Sequence, residues 1–154
     1  MKIVAKSPCR VDLAGGTLDI WPLYLNHDNA VTVTFAVNLY TSAEITTRTD
    51  SRIILETRDL GGREEFENID ALVNAKKYKL PLLALALRWY RPTTGLHLIT
   101  NSEAPAGAGI SGSSSLLITL GAALNKLTKR GYTIEKIREV AQNIEAQIIQ
   151  VPTG

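Results

Sequence analysis

The spacing of the apolar residues changes part-way along the chain, and that change limits the fold more than any other feature. Through the first sixty residues, β-branched and apolar positions come in short, partly alternating runs, "KIVA", "RVDLA", "NAVTVTFAVN", "TSAEITTRT" and "RIILET", divided by Gly, Pro, Asn and Asp. Alternation of this kind suits strands, whose successive side chains point to opposite faces. "LGGREEFEN" reads as a charged turn. From Asp70 to Tyr90 the spacing of Leu72, Ala75, Leu82, Leu83, Leu85, Ala86 and Trp89 is helical, and Pro81 divides the stretch into two helices. "GLHLIT" returns to strand. A helix is predicted from Ser113 or Ser114 to about Lys129, with Lys126, Lys129 and Arg130 at its negative end and Gly131 as its stop. A last helix starts at Thr133 as N-cap and repeats Ile137, Val140, Ala141, Ile144 and Ile148 at core-facing spacing. Strands first and helices later predict an α+β domain.

With 154 residues and 45% hydrophobic content, the chain has material for one compact domain, and it shows no internal repeat or linker. A net charge of +2 without a basic run speaks against nucleic acid as a partner. The single cysteine, Cys9, rules out an internal disulfide and reads as a small buried thiol in a reducing cytoplasm. No CxxC or Cys/His cluster suggests a structural metal. The apolar runs Leu80 to Leu87 and Leu116 to Leu120 fall short of the roughly 20 residues that span a bilayer, so no membrane partner is expected. Lys6 interrupts the N-terminal apolar run, so no secretory signal is visible and a cytoplasmic location is expected.

The stretch "EAPAGAGISGSSSLLITLGAALNKL", residues 103–127, gathers Gly107, Gly109, Gly112, Ser111, Ser113, Ser114 and Ser115 just ahead of an apolar helix. The first amides of a helix lack intrahelical partners and carry the positive end of its dipole, so an anion is favoured there. Glycines let the backbone approach that anion, and serines add neutral donors. The segment therefore reads as a phosphate cradle, against the plainer alternative of a flexible loop with a serine cap. A Walker A loop needs Lys where "GSSS" has Ser113. Residues 107–112 satisfy GxGxxG, but "TNSEAPA" stands between them and the preceding strand, and the region around Glu135 is helical where an acidic strand end is needed. On those grounds a dinucleotide-dependent oxidoreductase is kept only as the weaker of the alternative readings.

"PAGAGISGSSSL" resembles the second motif of the GHMP kinases (galactokinase, homoserine, mevalonate and phosphomevalonate kinases), P-x-G-x-G-L-G-S-S-[SA]. "SPCRVDLAGGTLDIWPLY" is similar to that family's first motif in its heptose and fucose kinase branch, R-[VI]-[DS]-[LF]-A-G-G-G-T-D. The resemblance implies that residues 1–154 are an N-terminal ATP-binding domain. It implies a mixed, largely antiparallel sheet with helices on one face and a left-handed βαβ crossover around the Gly/Ser loop. The activity implied is transfer of a phosphoryl group from ATP, with Mg2+, to a small-molecule hydroxyl, most of all that of a sugar. Pro105, Gly107, Gly109, Ser111, Gly112, Ser113, Ser114 and Ser115 would then embrace the nucleotide, with Ser114 and Glu145 on the metal. Periodicity agrees about Glu145, which follows Ala141 by four and precedes Ile148 by three, beside the apolar stripe. Arg10 would neutralise charge on the moving phosphoryl group. Asp12, Gly15, Gly16 and Asp19 would face the substrate.

Two departures stand out. Ser111 reads as an extra residue between Ile110 and Gly112, which leaves open which of Ser113, Ser114 and Ser115 meets the metal. The family's catalytic aspartate normally follows "PTG", and this sequence ends at Gly154, so a fragment of a longer kinase, weak or inactive by itself, is expected. A non-catalytic nucleotide- or sugar-binding module is the alternative reading.

Overall fold

The structure, a computed structural model, describes residues 1–18, 20 and 22–150. Asp19, expected to face the substrate, and the terminal "PTG" lie outside the described residues. Five strands form one sheet: β1 (Lys2–Ala14), β2 (Val33–Thr47), β3 (Ile53–Thr57), β4 (Gly62–Phe66) and β5 (Leu96–Ser102), in the spatial order β1-β2-β5-β3-β4. Every neighbouring pair is antiparallel except β3 with β5. A parallel pair needs a crossover, and here the chain passes through β4, α1 (Ile69–Asn74) and α2 (Pro81–Tyr90) before returning as β5. The crossover thus lies ahead of the Gly/Ser loop, into which β5 leads. Two longer helices follow, α3 (Gly112–Thr128) and α4 (Ile134–Ile149).

The strand segments are fewer and longer than the sequence runs suggest. "KIVA" and "RVDLA" join into β1 through Pro8, and a register shift falls between Pro8 and Cys9. Proline lacks the N–H that a central strand would need, and β1 is an edge strand, where that loss is tolerated. "NAVTVTFAVN" and "TSAEITTRT" likewise join into β2, which begins only at Val33. The charged turn is corrected to a hairpin strand: in β4, exposed Arg63 and Glu65 alternate with half-buried Glu64 and Phe66. Glu64 turns inward and accepts the amides of Lys79 and Leu80 at 3.0–3.1 Å, which satisfies donors at the start of α2. Pro81 opens α2, at the position where a missing N–H costs nothing. Thr133 caps α4 by accepting from the Lys136 amide.

One face of the sheet builds the core. Ala43, Ile45, Ile53, Leu55, Leu96 and Leu98 pack with Leu83 and Leu87 of α2, Leu117, Leu120 and Leu124 of α3, and Val140, Ala141 and Ile144 of α4. Each buried aliphatic side chain contributes about 1.5–3 kcal/mol. The opposite face is polar, with Lys2 paired to Glu44 at 2.8 Å and Glu56 between Arg63 and His97. The outcome is an α+β domain with a mixed, largely antiparallel sheet.

Candidate functional site

The start of α3 and the last turns of α4 meet around one carboxylate. Glu145 is 8% exposed. Ser113 Oγ donates to its Oε1 at 2.5 Å and Ser114 Oγ to its Oε2 at 2.8 Å. A carboxylate taken out of water is costly unless its oxygens are hydrogen-bonded, and these two serines supply that. The first intrahelical bond of α3 runs from the Ser115 amide to the Ser111 carbonyl at 2.9 Å, so the amides of Gly112, Ser113 and Ser114 precede the ladder at the positive end of the helix.

Ser115 faces the other way. Its hydroxyl donates to the Pro8 carbonyl at 2.9 Å and lies 2.9 Å from Thr41 Oγ1, which in turn lies 2.8 Å from Thr119 Oγ1. Thr41 and Thr119 are fully buried. This hydroxyl cluster fastens α3 to β1 and β2 and thereby fixes where the Ser113 and Ser114 hydroxyls point. Cys9, also fully buried, has its thiol pushed up first by burial.

The loop between β5 and α3 is open to solvent along Pro105 to Gly109, and Gly107 and Gly109 adopt positive φ. Ser111 does so as well, with φ 58° and ψ 34°, the left-handed conformation that glycine takes more readily. Written without a gap, P-x-G-x-G-L-G-S-S-[SA] runs from Pro105 to Ser114, with Ser111 at its last glycine and Gly112 at its first serine. The left-handed Ser111 favours that exchange over an inserted residue. The loop separates two cavities, and Ser111 lines both. The smaller, about 510 Å³, lies among Leu60, Leu82, Ala104 and the loop itself. The larger, about 860 Å³, is a cleft lined by Arg10, Tyr24, Ser114, Arg138, Gln142 and Glu145 among others.

Arg10 enters this cleft from β1, and its Nη1 pairs with Asp12 Oδ1 at 2.6 Å. The glycines after it have local tasks. A Cβ on Gly15, at φ 76°, would fall 2.1 Å from the Val31 carbonyl oxygen, and one on Gly16 would meet the Asp12 carboxylate at 3.0 Å. Arg10, Ser111, Ser114, Ser115 and Glu145 therefore share one cleft, Pro105, Gly107, Gly109, Gly112 and Ser113 line the other cavity, and Asp12 reaches the cleft through Arg10. Sequence reasoning missed Tyr24, in a short 3-10 helix at Leu23–Asn26, and Arg138 and Gln142 on α4. Arg138 stands seven residues before Glu145, two helical turns on the same face, and that spacing was a usable signal. The GxGxxG string follows a strand whose neighbours run antiparallel and parallel to it, unlike the parallel sheet a dinucleotide fingerprint needs.

Five strands with one parallel pair, under a layer of helices, make a two-layer α+β domain with a serine-rich helix start opening on its cleft. The chain belongs to the GHMP kinase family: the family description "GHMP kinases N terminal domain" matches residues 75–154. It is 26% identical over 155 residues to the D-glycero-alpha-D-manno-heptose 7-phosphate kinase of Campylobacter jejuni, covering 99% of this chain and 45% of that protein. It is 27% identical over 144 residues to the L-fucokinase/L-fucose-1-P guanylyltransferase of Bacteroides fragilis, covering 78% of this chain and 15% of that one. The chain thus spans less than half the length of these relatives. Among solved structures, a D-glycero-D-manno-heptose 1-phosphate kinase from Bacteroides thetaiotaomicron superposes with a TM-score of 0.85 at 21% identity, over 100% of this chain and 51% of that one. The Methanococcus jannaschii mevalonate kinase gives 0.82 at 18%, over 99% and 48%. At such identities the superpositions speak for the fold. No described helix is long and apolar enough to cross a membrane.

Proposed function

We propose that residues 1–154 form the ATP-binding domain of a kinase that phosphorylates a hydroxyl of a small molecule, a sugar in the first place. The observation that carries this is the Glu145 carboxylate bonded by Ser113 and Ser114 at the open N-terminus of α3, in one cleft with Arg10. The sugar acceptor is supported by the relatives named as heptose-phosphate and fucose kinases.

Among the described residues there is no cluster of three or more His, Cys, Asp or Glu side chains. Mg2+ does not need one, because it is commonly held by one or two carboxylates together with substrate phosphates. Glu145, with the Ser114 hydroxyl, fits that donor set, and Ser113 stands beside them. Mg2+, when bound, neutralises the charge of the phosphates. The amides of Gly112, Ser113 and Ser114 receive phosphate oxygens at the positive end of α3. Gly107 and Gly109 let the loop backbone close on the nucleotide, with Pro105 and Ser111 at its two ends. The smaller cavity, with Leu60 and Leu82 on its wall, offers the base an apolar seat. Arg10, oriented by Asp12, faces the phosphoryl group as its bond to the leaving oxygen breaks and its bond to the acceptor oxygen forms. Gly15, Gly16 and Asp19 belong to the acceptor side, and Ser115 acts by holding α3 in place. Glu145 is the one carboxylate among the described cleft-lining residues and is committed to the metal, so this stretch by itself binds nucleotide and turns over weakly or not at all. The cell compartment proposed is the cytoplasm.

The test is ADP release from Mg-ATP by the natural protein against hexoses, heptoses, homoserine and mevalonate. Sugar-dependent turnover that disappears in Arg10→Ala and Glu145→Ala is the expected result. Silence across the panel with nucleotide still bound would favour a binding module that lacks the chemistry. Absence of nucleotide binding would overturn the reading altogether.

A further inference from the structure

We infer that the C-terminal ends of α2 and α3, joined in the fold, form a basic surface that docks on an anionic lipid membrane. The inference stands apart from the kinase reading, because none of its residues lines either cavity.

Two segments distant in sequence meet here: α2 runs out through "RWYR" and α3 through "KLTKRGY". Arg130 Nη2 donates to the Tyr90 carbonyl at 3.1 Å, and the Tyr90 and Tyr132 rings stand 5.9 Å apart. Arg88, Arg91, Lys126, Lys129 and Arg130 are all exposed, and neither segment contains an acidic residue. Cations at a helix C-terminus ordinarily offset its dipole, and Arg130 does so by bonding a carbonyl. The other four bond no carbonyl and pair with no carboxylate among the described residues. The acids close by in the chain are engaged elsewhere. Asp50, whose carbonyl lies against Gly95 in the loop after Arg91, is paired with Arg48 at 2.6 Å. Glu135 has its carboxyl lowered first by a backbone hydrogen bond, then by Thr133 and then by Arg138, so none of the five cations serves it.

Two large apolar side chains accompany the charges. Trp89 is 49% exposed, and Ile134, two residues past Tyr132 at the start of α4, is 80% exposed. A protein partner would meet charge at the centre of its contact, where interfaces are depleted of it, and two apolar groups among five cations do not build such a core. A nucleic-acid strand is held along a groove with successive aromatic platforms, whereas Trp89 is the one exposed aromatic here and neither cavity is lined by this surface. A headgroup layer suits both kinds of side chain. The cations remain among the anionic headgroups, each worth about fivefold in affinity, while indole and isoleucine reach the acyl boundary. Peripheral contact of this kind needs no spanning helix. The surface is also remote from the nucleotide end of α3, since Lys126 follows Ser114 by twelve residues, about 18 Å along the axis.

The test is cosedimentation of the natural protein with vesicles of phosphatidylcholine alone and of phosphatidylcholine mixed about two to one with phosphatidylglycerol, at low and at high salt. Binding is expected to the anionic vesicles only and should weaken as salt rises. Lys126→Gln combined with Lys129→Gln should weaken it about thirtyfold, and Lys126→Arg combined with Lys129→Arg should leave it unchanged. Trp89→Ala should weaken it with no change of charge. Thermal unfolding and Mg-ADP affinity of the paired lysine variants should match the unaltered protein, since both positions are exposed and outside the two cavities. No binding, equal binding to neutral vesicles, or anionic binding undiminished in the glutamine pair or in Trp89→Ala would overturn the proposal. Retention on single-stranded RNA without vesicle binding would overturn it as well.

Discussion

The two ends of the cleft are held in opposite ways. At the α3 end, Glu145 is 8% exposed, both of its oxygens are occupied, and Ser115 is locked to Pro8, Thr41 and Thr119. At the β1 end, Arg10 and Asp12 are 35% and 24% exposed, and their strand leaves the body of the sheet. β5 pairs only with Thr41–Thr47 of β2, whereas Cys9–Ala14 of β1 pairs with Val33–Val37, beyond the reach of β5. That ribbon carries exposed Leu13, Val33 and Phe35 and a second register shift between Asp12 and Ala14. A two-stranded ribbon is only marginally stable without a packed face. The contrast teaches that the end proposed to hold the phosphates is built into the core, while the end proposed to face the acceptor rides on a less packed ribbon.

Breaking the built end should have the largest effect. Glu145→Ala removes the carboxylate proposed to hold the metal and leaves two serines without their acceptor; affinity for Mg-ADP should fall on the order of a hundredfold, about 2.7 kcal/mol, by calorimetry. Next comes the anchor beneath it. Ser115→Ala takes the side-chain donor from the Pro8 carbonyl and one of the partners of the buried Thr41 hydroxyl, which keeps Thr119, and urea unfolding should show a loss of about 1–3 kcal/mol. At the soft end, Gly15→Ala forces a Cβ into a left-handed residue and against the Val31 carbonyl. A cost of about 1–2 kcal/mol is expected, confined to the ribbon and visible as faster amide exchange at Val33–Val37 with Thr41–Thr47 unchanged.

The smallest effect at neutral pH belongs to Tyr90, in the core beneath both ends. Its hydroxyl is buried without a hydrogen-bond partner, and burial, followed by the neighbouring Tyr132, pushes its pKa up to about 12 from 10.0. A phenol that resists ionisation in the folded chain stabilises it fully below pH 10, and this contribution is lost as pH rises from 10 to about 12. Tyr90→Phe should change stability at pH 7 by less than about 1 kcal/mol and flatten the alkaline decline, as followed by thermal unfolding across pH 8–12.

The helices and the Glu145 stripe were legible because helical spacing is local: Ala141, Glu145 and Ile148 needed no partner to declare their face. The serines were only half legible. Ser113, Ser114 and Ser115 are alike in sequence, and it is the 100° turn per residue that sends two of them to α4 and the third under the sheet. β4 was hidden because its polar residues serve different surroundings: Arg63 and Glu65 face solvent, while Glu64 caps α2 from a distance in sequence of fifteen residues and more. The long β1 and β2 were hidden because an edge position excuses Pro8, and edges are a property of the sheet. Tyr24 lacked any local signal of the cavity, since it comes from the short helix after β1, whereas Arg138 shares the α4 face of Glu145 and could have been read from that spacing.

The most direct test of the account is the affinity of the unaltered chain for ADP with and without Mg2+, repeated in Glu145→Gln. Binding strengthened at least tenfold by Mg2+ in the unaltered chain, and indifferent to Mg2+ in Glu145→Gln, is the predicted result. ADP binding that ignores Mg2+ in both, or a Mg2+ effect undiminished in Glu145→Gln, would contradict the assignment of the serine and glutamate cluster to the metal-bound phosphates.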